Sequence, residues 1–274
     1  VQEGEKQLAV LAGKVIFDDC VATELLDLTE KIHGGRLEWD VPAGLWRIFV
    51  LVLTTQGGGR EHYINLLDEA SCKVLLDTVY EAHYRHYKKE FGRTIAGFFF
   101  DEPSFGNTCG FSFDESIGRK QMQLPWSRAL QERMEACMGE KYRSQLPALW
   151  MDLDDRFQTA WIRYCYMNEA TKLAEANFSL QISRWCEEHG VQSIGHVIED
   201  ANEHSRLGSG MGHYFRALSG QHMSGIDAIG NQVIKGGENS CRITPFGKAW
   251  HGTFFHFELG KLGASLAHID PGKG

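Results

Sequence analysis

Two glutamates stand where short apolar runs end. Glu102 follows Gly97-Phe98-Phe99-Phe100 in the sequence Asp101-Glu102-Pro103, and Glu199 follows Ile194-Gly195-His196-Val197-Ile198 beside Asp200. Asp227 ends or interrupts Gly225-Ile226 in a similar way. A buried strand does not tolerate an unpaired ionised carboxylate, so each acid must point into a loop or a polar cleft. Acids at the C-terminal ends of consecutive parallel strands share one rim, the rim on which barrel enzymes build their sites. Two carboxylates there are the minimum equipment for cleaving a glycosidic bond. One, protonated, donates to the leaving oxygen, and the other activates water or attacks the anomeric carbon. The competing reading is structural, because strand-end acids often cap the next helix or pair with arginine. It is the commoner outcome for one acid and about as common as the catalytic one for two.

The neighbours of these acids complete a candidate sugar site. Asp101, His196, Asp200, Arg206, His213 and Asp227 are the side chains expected to touch substrate. His196 lies inside its run and reads more simply as a hydrogen-bonded interior histidine. Arg206, His213 and Arg216 follow Glu199, where an arginine could hold a hydroxyl or a carboxylate, or could pair with Asp200 or Glu203. Six of the histidines in the second half (His196, His213, His222, His251, His256 and His268) raise a metal-dependent hydrolase as an alternative. No HxH or HExxH spacing supports it. A serine nucleophile in GxSxG is absent. Gly208-Ser209-Gly210-Met211-Gly212 comes too late and with the wrong spacing for a dinucleotide fingerprint.

The elements that must position these groups alternate. The first 60 residues read as a β-rich subdomain, with Leu8–Phe17 and Trp46–Thr55 as strands and Gly57-Gly58-Gly59 as its end. Asp68 can cap a helix running to about Glu90. Ile95–Phe100 is an apolar run expected to be buried on both faces. Helices are expected over Trp126–Met138, over Asp155–His189 with Gly190 at its end, around Tyr214–Leu218 and over Phe254–Leu266. Val191–Ile198 and Met223–Ile229 are the remaining strand candidates. Strands alternating with helices imply an α/β fold with parallel strands, over residues 61–274.

Composition narrows the class. A net charge of -8 argues against nucleic acid as a partner. The longest early apolar run, Ile48–Leu53, cannot span a bilayer. Seven scattered cysteines without a CxxC pair imply free thiols and a reducing, cytoplasmic setting. The chain begins at Val1, so a preceding targeting segment would be invisible.

Tyr63-Ile64-Asn65-Leu66-Leu67-Asp68, the run ending Asp101-Glu102-Pro103, and Gly195-His196-Val197-Ile198-Glu199-Asp200 together resemble glycoside hydrolase family 106, the α-L-rhamnosidase-like enzymes. Gly220–Ile226 and Leu262–Ile269 are similar to it as well, so the resemblance spans roughly Leu8–Pro271. It implies a (β/α)8 TIM-barrel-type catalytic region with β-sandwich elements, inverting hydrolysis of α-L-rhamnosides, and a calcium ion near the site. Carried over by motif, Glu102 would be the general acid and Glu199 the general base. Three parallel strands do not make eight, so an incomplete barrel is expected. Its open sheet edges would favour homo-oligomers. A non-catalytic carbohydrate-binding protein on a decayed barrel is the further alternative.

Overall fold

The structure is a computed structural model, and it describes residues 4–57, 59–108, 117–118, 122–198, 207–208, 210–243, 249–270 and 272–274. Strands β1 (Lys6–Phe17), β2 (Cys20–Val21), β3 (Leu26–Asp27), β4 (Ile32–His33), β5 (Arg36–Leu37) and β6 (Trp46–Leu53) come first. Helix α1 (Glu69–Leu75) runs through a wide turn into α2 (Glu81–Tyr87), and β7 (Gly97–Asp101) follows. Next are α3 (Arg128–Met138), α4 (Tyr142–Gln145), β8 (Asp152–Leu153), α5 (Arg156–Ala174) and α6 (Leu180–Glu188). The chain continues with β9 (Gln192–His196), α7 (Tyr214–Ala217), the hairpin β10 (Cys241–Ile243) and β11 (Ala249–His251), and α8 (Leu259–Ile269).

β1 organises the N-terminal sheet. It pairs antiparallel with β6 from Lys6↔Leu53 to Lys14↔Trp46, and with β2 and β3. Its centre, Leu8 to Ala12, is buried on both faces. Leu8, Ala9 and Leu11 join the main core, while Val10 and Ala12 pack under Leu28, Trp39 and Trp46. β2 pairs in parallel with β8, so the sheet draws in residues far beyond position 60.

The helices begin where the sequence supplies caps. Asp68 accepts from Ser71 N at 2.7 Å, Ser127 from Leu130 N at 3.0 Å, and Asp155 from Phe157 N and Gln158 N at 2.9 and 3.0 Å. Each satisfies an amide that the first helical turn leaves open. α5 buries Ile162, Cys165, Tyr166, Ala170 and Leu173, and packs on α3 through Leu130 and Met134. Burying one such leucine or isoleucine contributes about 1.5–3 kcal/mol. α6 stops at Gly190, whose φ of 68° lies in the left-handed region that glycine enters freely.

The expected (β/α)8 barrel is not formed among the described residues. The largest sheet is built antiparallel around β1, and parallel ladders are confined to β2–β8 and β7–β9. A barrel needs every strand hydrogen-bonded on both sides. Instead β7 pairs with β9 in a separate two-stranded sheet. Met223–Ile229 forms no strand, although His222 N donates to Ser193 O at 2.9 Å and holds this segment beside β9. The expectation that the β7 run is buried on both faces is also corrected. Phe98 and Phe100 face the helices, whereas Phe99 is 62% exposed. The apolar run thus marks a strand with one covered face.

Candidate active site

The site grows from the pairing of β7 with β9, in register Phe99↔Ile194 and Asp101↔His196. Glycines allow the close approach. A Cβ at Gly97 would collide with the Gln192 carbonyl oxygen, and one at Gly195 with that of Phe100. Phe98 stacks on Tyr80 with ring centroids 4.3 Å apart and meets Trp185 edge-on, and Phe100 packs on Phe178. These rings anchor one face of β7. Strand alternation then sends Phe99 and Asp101 to the other face, beside Ile194 and His196.

Asp101 and His196 meet there. His196 is buried, with Nε2 2.8 Å from Asp101 Oδ1 and Nδ1 2.7 Å from Val197 O. A carbonyl and an ionised carboxylate only accept, so both ring nitrogens donate when the imidazole is charged. The next residue, Glu102, donates its amide to His196 O at 3.2 Å. Its φ of 44° is left-handed, a conformation uncommon outside glycine and unusual before a proline. Such strain is kept where the surroundings over-determine it, and it gathers at functional sites.

The third contributor is the segment after α7. Tyr214 Oη donates to Gly225 O at 2.9 Å, and Ser193 N donates to His222 Nδ1 at 3.0 Å. A Cβ at Gly225 would collide with the Gly195 carbonyl oxygen. The segment therefore lies flat on β9 and delivers Asp227 to the end of the sheet. Glu102, His196 and Asp227 each place a ligating atom within 4.8 Å of the others. They stand at the C-terminal ends of β7 and β9. Beside them is a cavity of about 500 Å³, lined by Asp101, His196 and Asp227 with Phe99, Ile194 and Ile226.

The arrangement brings together Asp101, Glu102, His196 and Asp227 of the side chains singled out in the sequence. Glu199, Asp200 and Arg206 lie outside the described residues. His213 caps α7, its Nδ1 accepting from Arg216 N at 3.3 Å. Arg216 ties α7 to α5 by donating to Asn168 O, Asn168 Oδ1 and Thr171 Oγ1. Among the described residues His196 is the one histidine in the acid cluster, so the convergence of histidines that a zinc hydrolase needs is not found there. Phe99 and the glycine at 225 were missed as site residues. The signals available were the place of Phe99 two residues before Asp101, hence on its face, and a glycine two residues before Asp227.

The calcium ion implied by the family resemblance can be tested against these donors. Calcium takes oxygen ligands. The carboxylates of Glu102 and Asp227, with Asp101 adjacent, fit that demand. His196 does not, and its ring already faces Val197 O and Asp101.

A short parallel β/α unit with acids at its C-terminal end places them where parallel α/β folds commonly carry their sites. No family model and no curated protein matches the chain. Among solved structures it is similar to a rhamnosidase from Novosphingobium sp. PP1Y, with a TM-score of 0.50 and 19% identity over 74% of this chain. The chain spans 19% of that enzyme's length. The likeness is one of fold. No helix among the described residues is long and apolar enough to cross a membrane.

Proposed function

We propose that the protein is a glycoside hydrolase of the α-L-rhamnosidase type, related to family 106. In this reading Glu102 donates a proton to the leaving oxygen and Glu199 activates water on the opposite face of the sugar. The observation that carries the reading is the convergence of Glu102, His196 and Asp227 beside a cavity of sugar size, at the strand ends where such chemistry is built. The fold likeness to a rhamnosidase supports the same class. An inverting mechanism needs carboxyls about 6.5–9.5 Å apart, with room for water between them. The ligating atoms of Glu102 and Asp227 lie within 4.8 Å of each other, too close for that arrangement, so Asp227 is assigned to substrate or cation binding. Phe99 and Ile226 offer an apolar wall to a sugar ring, and Asp101, fixed by His196, accepts from its hydroxyls.

The test is hydrolysis of a panel of aryl glycosides, α-L-rhamnosides included, by the wild type and by Glu102→Gln and Glu199→Gln. General acid or base catalysis contributes about 10²–10⁴-fold, and each variant should lose that much in kcat. Unchanged kcat with a lower melting temperature would make either residue a scaffold group.

The same convergence favours a second role, the binding of a divalent cation by Glu102 and Asp227. Such an ion would supply positive charge to orient sugar hydroxyls. A carboxylate that holds a cation is not a protonated acid, so the two roles of Glu102 exclude each other. Calcium should raise the melting temperature of the wild type and not of Asp227→Asn if the cation role holds.

A further inference from the structure

Helix α5 is apolar on two sides. Ile162, Cys165, Tyr166, Ala170 and Leu173 face the core. On the other side Phe157 is 90% exposed, Trp161 51% and Tyr164 58%, with Trp161 and Tyr164 stacked at 5.6 Å between ring centroids. The three rings are spaced by four and then three residues. At 100° per residue they share one narrow stripe, the seam that a second helix fills in coiled-coil packing. A surface helix with one partner carries one apolar face, and three large aromatics on the opposite face call for another neighbour.

We infer that this stripe is a self-association surface, on which α5 of a second copy of the chain packs antiparallel about a two-fold axis near Trp161. The spacing argues for the chain as its own partner. Phe157 precedes Trp161 by four residues and Tyr164 follows it by three, so reversing the helix nearly superimposes the pattern on itself. Trp161 then meets Trp161 at the axis, and Phe157 of one copy meets Tyr164 of the other. Ala160, exposed beside the stripe, lets the helices approach closely. Antiparallel helices also place opposite ends of their dipoles together. An aromatic side chain offers on the order of 150–250 Å², so the three rings leave roughly 400 Å² uncovered per copy. With their flanks, two copies would bury about 1,000 Å², the lower bound for a specific interface. The dimer should therefore be reversible and concentration-dependent. This inference does not depend on the catalytic reading.

Sedimentation velocity over a concentration series tests it. The wild type should move from monomer to dimer, and Trp161→Glu and Phe157→Glu should stay monomeric with unchanged circular dichroism and with the melting temperature that the wild type has at concentrations where it is a monomer. Under mild oxidation Trp161→Cys should cross-link to a dimer above the wild-type background, and Phe157→Cys should not. A wild type that stays monomeric throughout, a dimer that survives Trp161→Glu, or cross-linking through Phe157→Cys in place of Trp161→Cys would overturn the inference. So would a monomer whose tryptophan fluorescence responds to oligosaccharides through Trp161, which would make the stripe a glycan platform.

Discussion

Replacing His196 by alanine separates what the residue does for stability from what it does for the site. The side chain of this buried residue, 6% exposed, has polar contacts that include one at 2.7 Å to Val197 O and one at 2.8 Å to Asp101 Oδ1. Removing it leaves the Val197 carbonyl without this donor, and an unsatisfied buried group costs about 1–3 kcal/mol. The Asp101 carboxylate is 74% exposed, so water takes over that half of the interaction and its share is at most about 1 kcal/mol. The expected loss is about 2 kcal/mol, or roughly 4–8 °C in melting temperature for a domain of this size. Asp101→Asn should cost less than about 1 kcal/mol, because that side of the pair is already in water. Sugar binding should fall in both variants, since His196→Ala frees the carboxylate from its fixed position and Asp101→Asn replaces it with an amide. His196→Gln, which keeps an N–H donor, should recover part of the stability. Thermal unfolding and sugar titration of the three variants check this. Equal destabilisation by His196→Ala and Asp101→Asn would refute the reasoning, because the pair would then act as a buried structural ion pair.

The remaining predictions concern packing and reactivity. Gly225→Ala should destabilise by about 1–3 kcal/mol, since its Cβ meets the backbone oxygen of Gly195, and should weaken cation or sugar binding by moving Asp227; thermal unfolding with ligand titration reads both. Tyr166→Phe should cost about 1–2 kcal/mol by removing the buried hydrogen bond from Tyr166 Oη to Pro125 O, measured by denaturant unfolding. Burial pushes the thiols of Cys72, Cys165 and Cys186 up to about 12, whereas Cys137 and Cys241 are exposed. Alkylation of the folded protein at neutral pH, read by mass spectrometry, should therefore mark Cys137 and Cys241 quickly and leave those three until unfolding, as thiolate is the reactive form.

Local structure was legible where one residue type decides it. Asp68 and Asp155 announced helix starts, Gly190 a helix end, and the runs at 95–100 and 191–198 the two central strands, found at Gly97–Asp101 and Gln192–His196. The long helix expected over Asp155–His189 is α5 and α6 joined by a wide turn. Sheet architecture was not legible, because apolar runs do not say how many strands pair with them. β7 reads as buried on both faces, yet Phe99 faces a cleft. Met223–Ile229 has strand composition but is pinned to β9 by single contacts at His222 and Gly225, which no periodicity reveals. The geometry of the candidate cluster was half legible. Acids at strand ends located Glu102 and Asp227, but their approach to His196 depends on three glycines, at 97, 195 and 225, whose role appears only when backbones meet.

The most direct test of the catalytic reading is the anomer first released from an α-L-rhamnoside, followed by proton NMR before mutarotation. The account predicts turnover that yields β-L-rhamnose and that Glu102→Gln lowers by about 10²-fold or more. Release of the α-anomer would contradict the inverting assignment. Turnover unaffected by Glu102→Gln, or none on any glycoside despite intact folding, would contradict the claim that these strand-end carboxylates cleave a glycosidic bond.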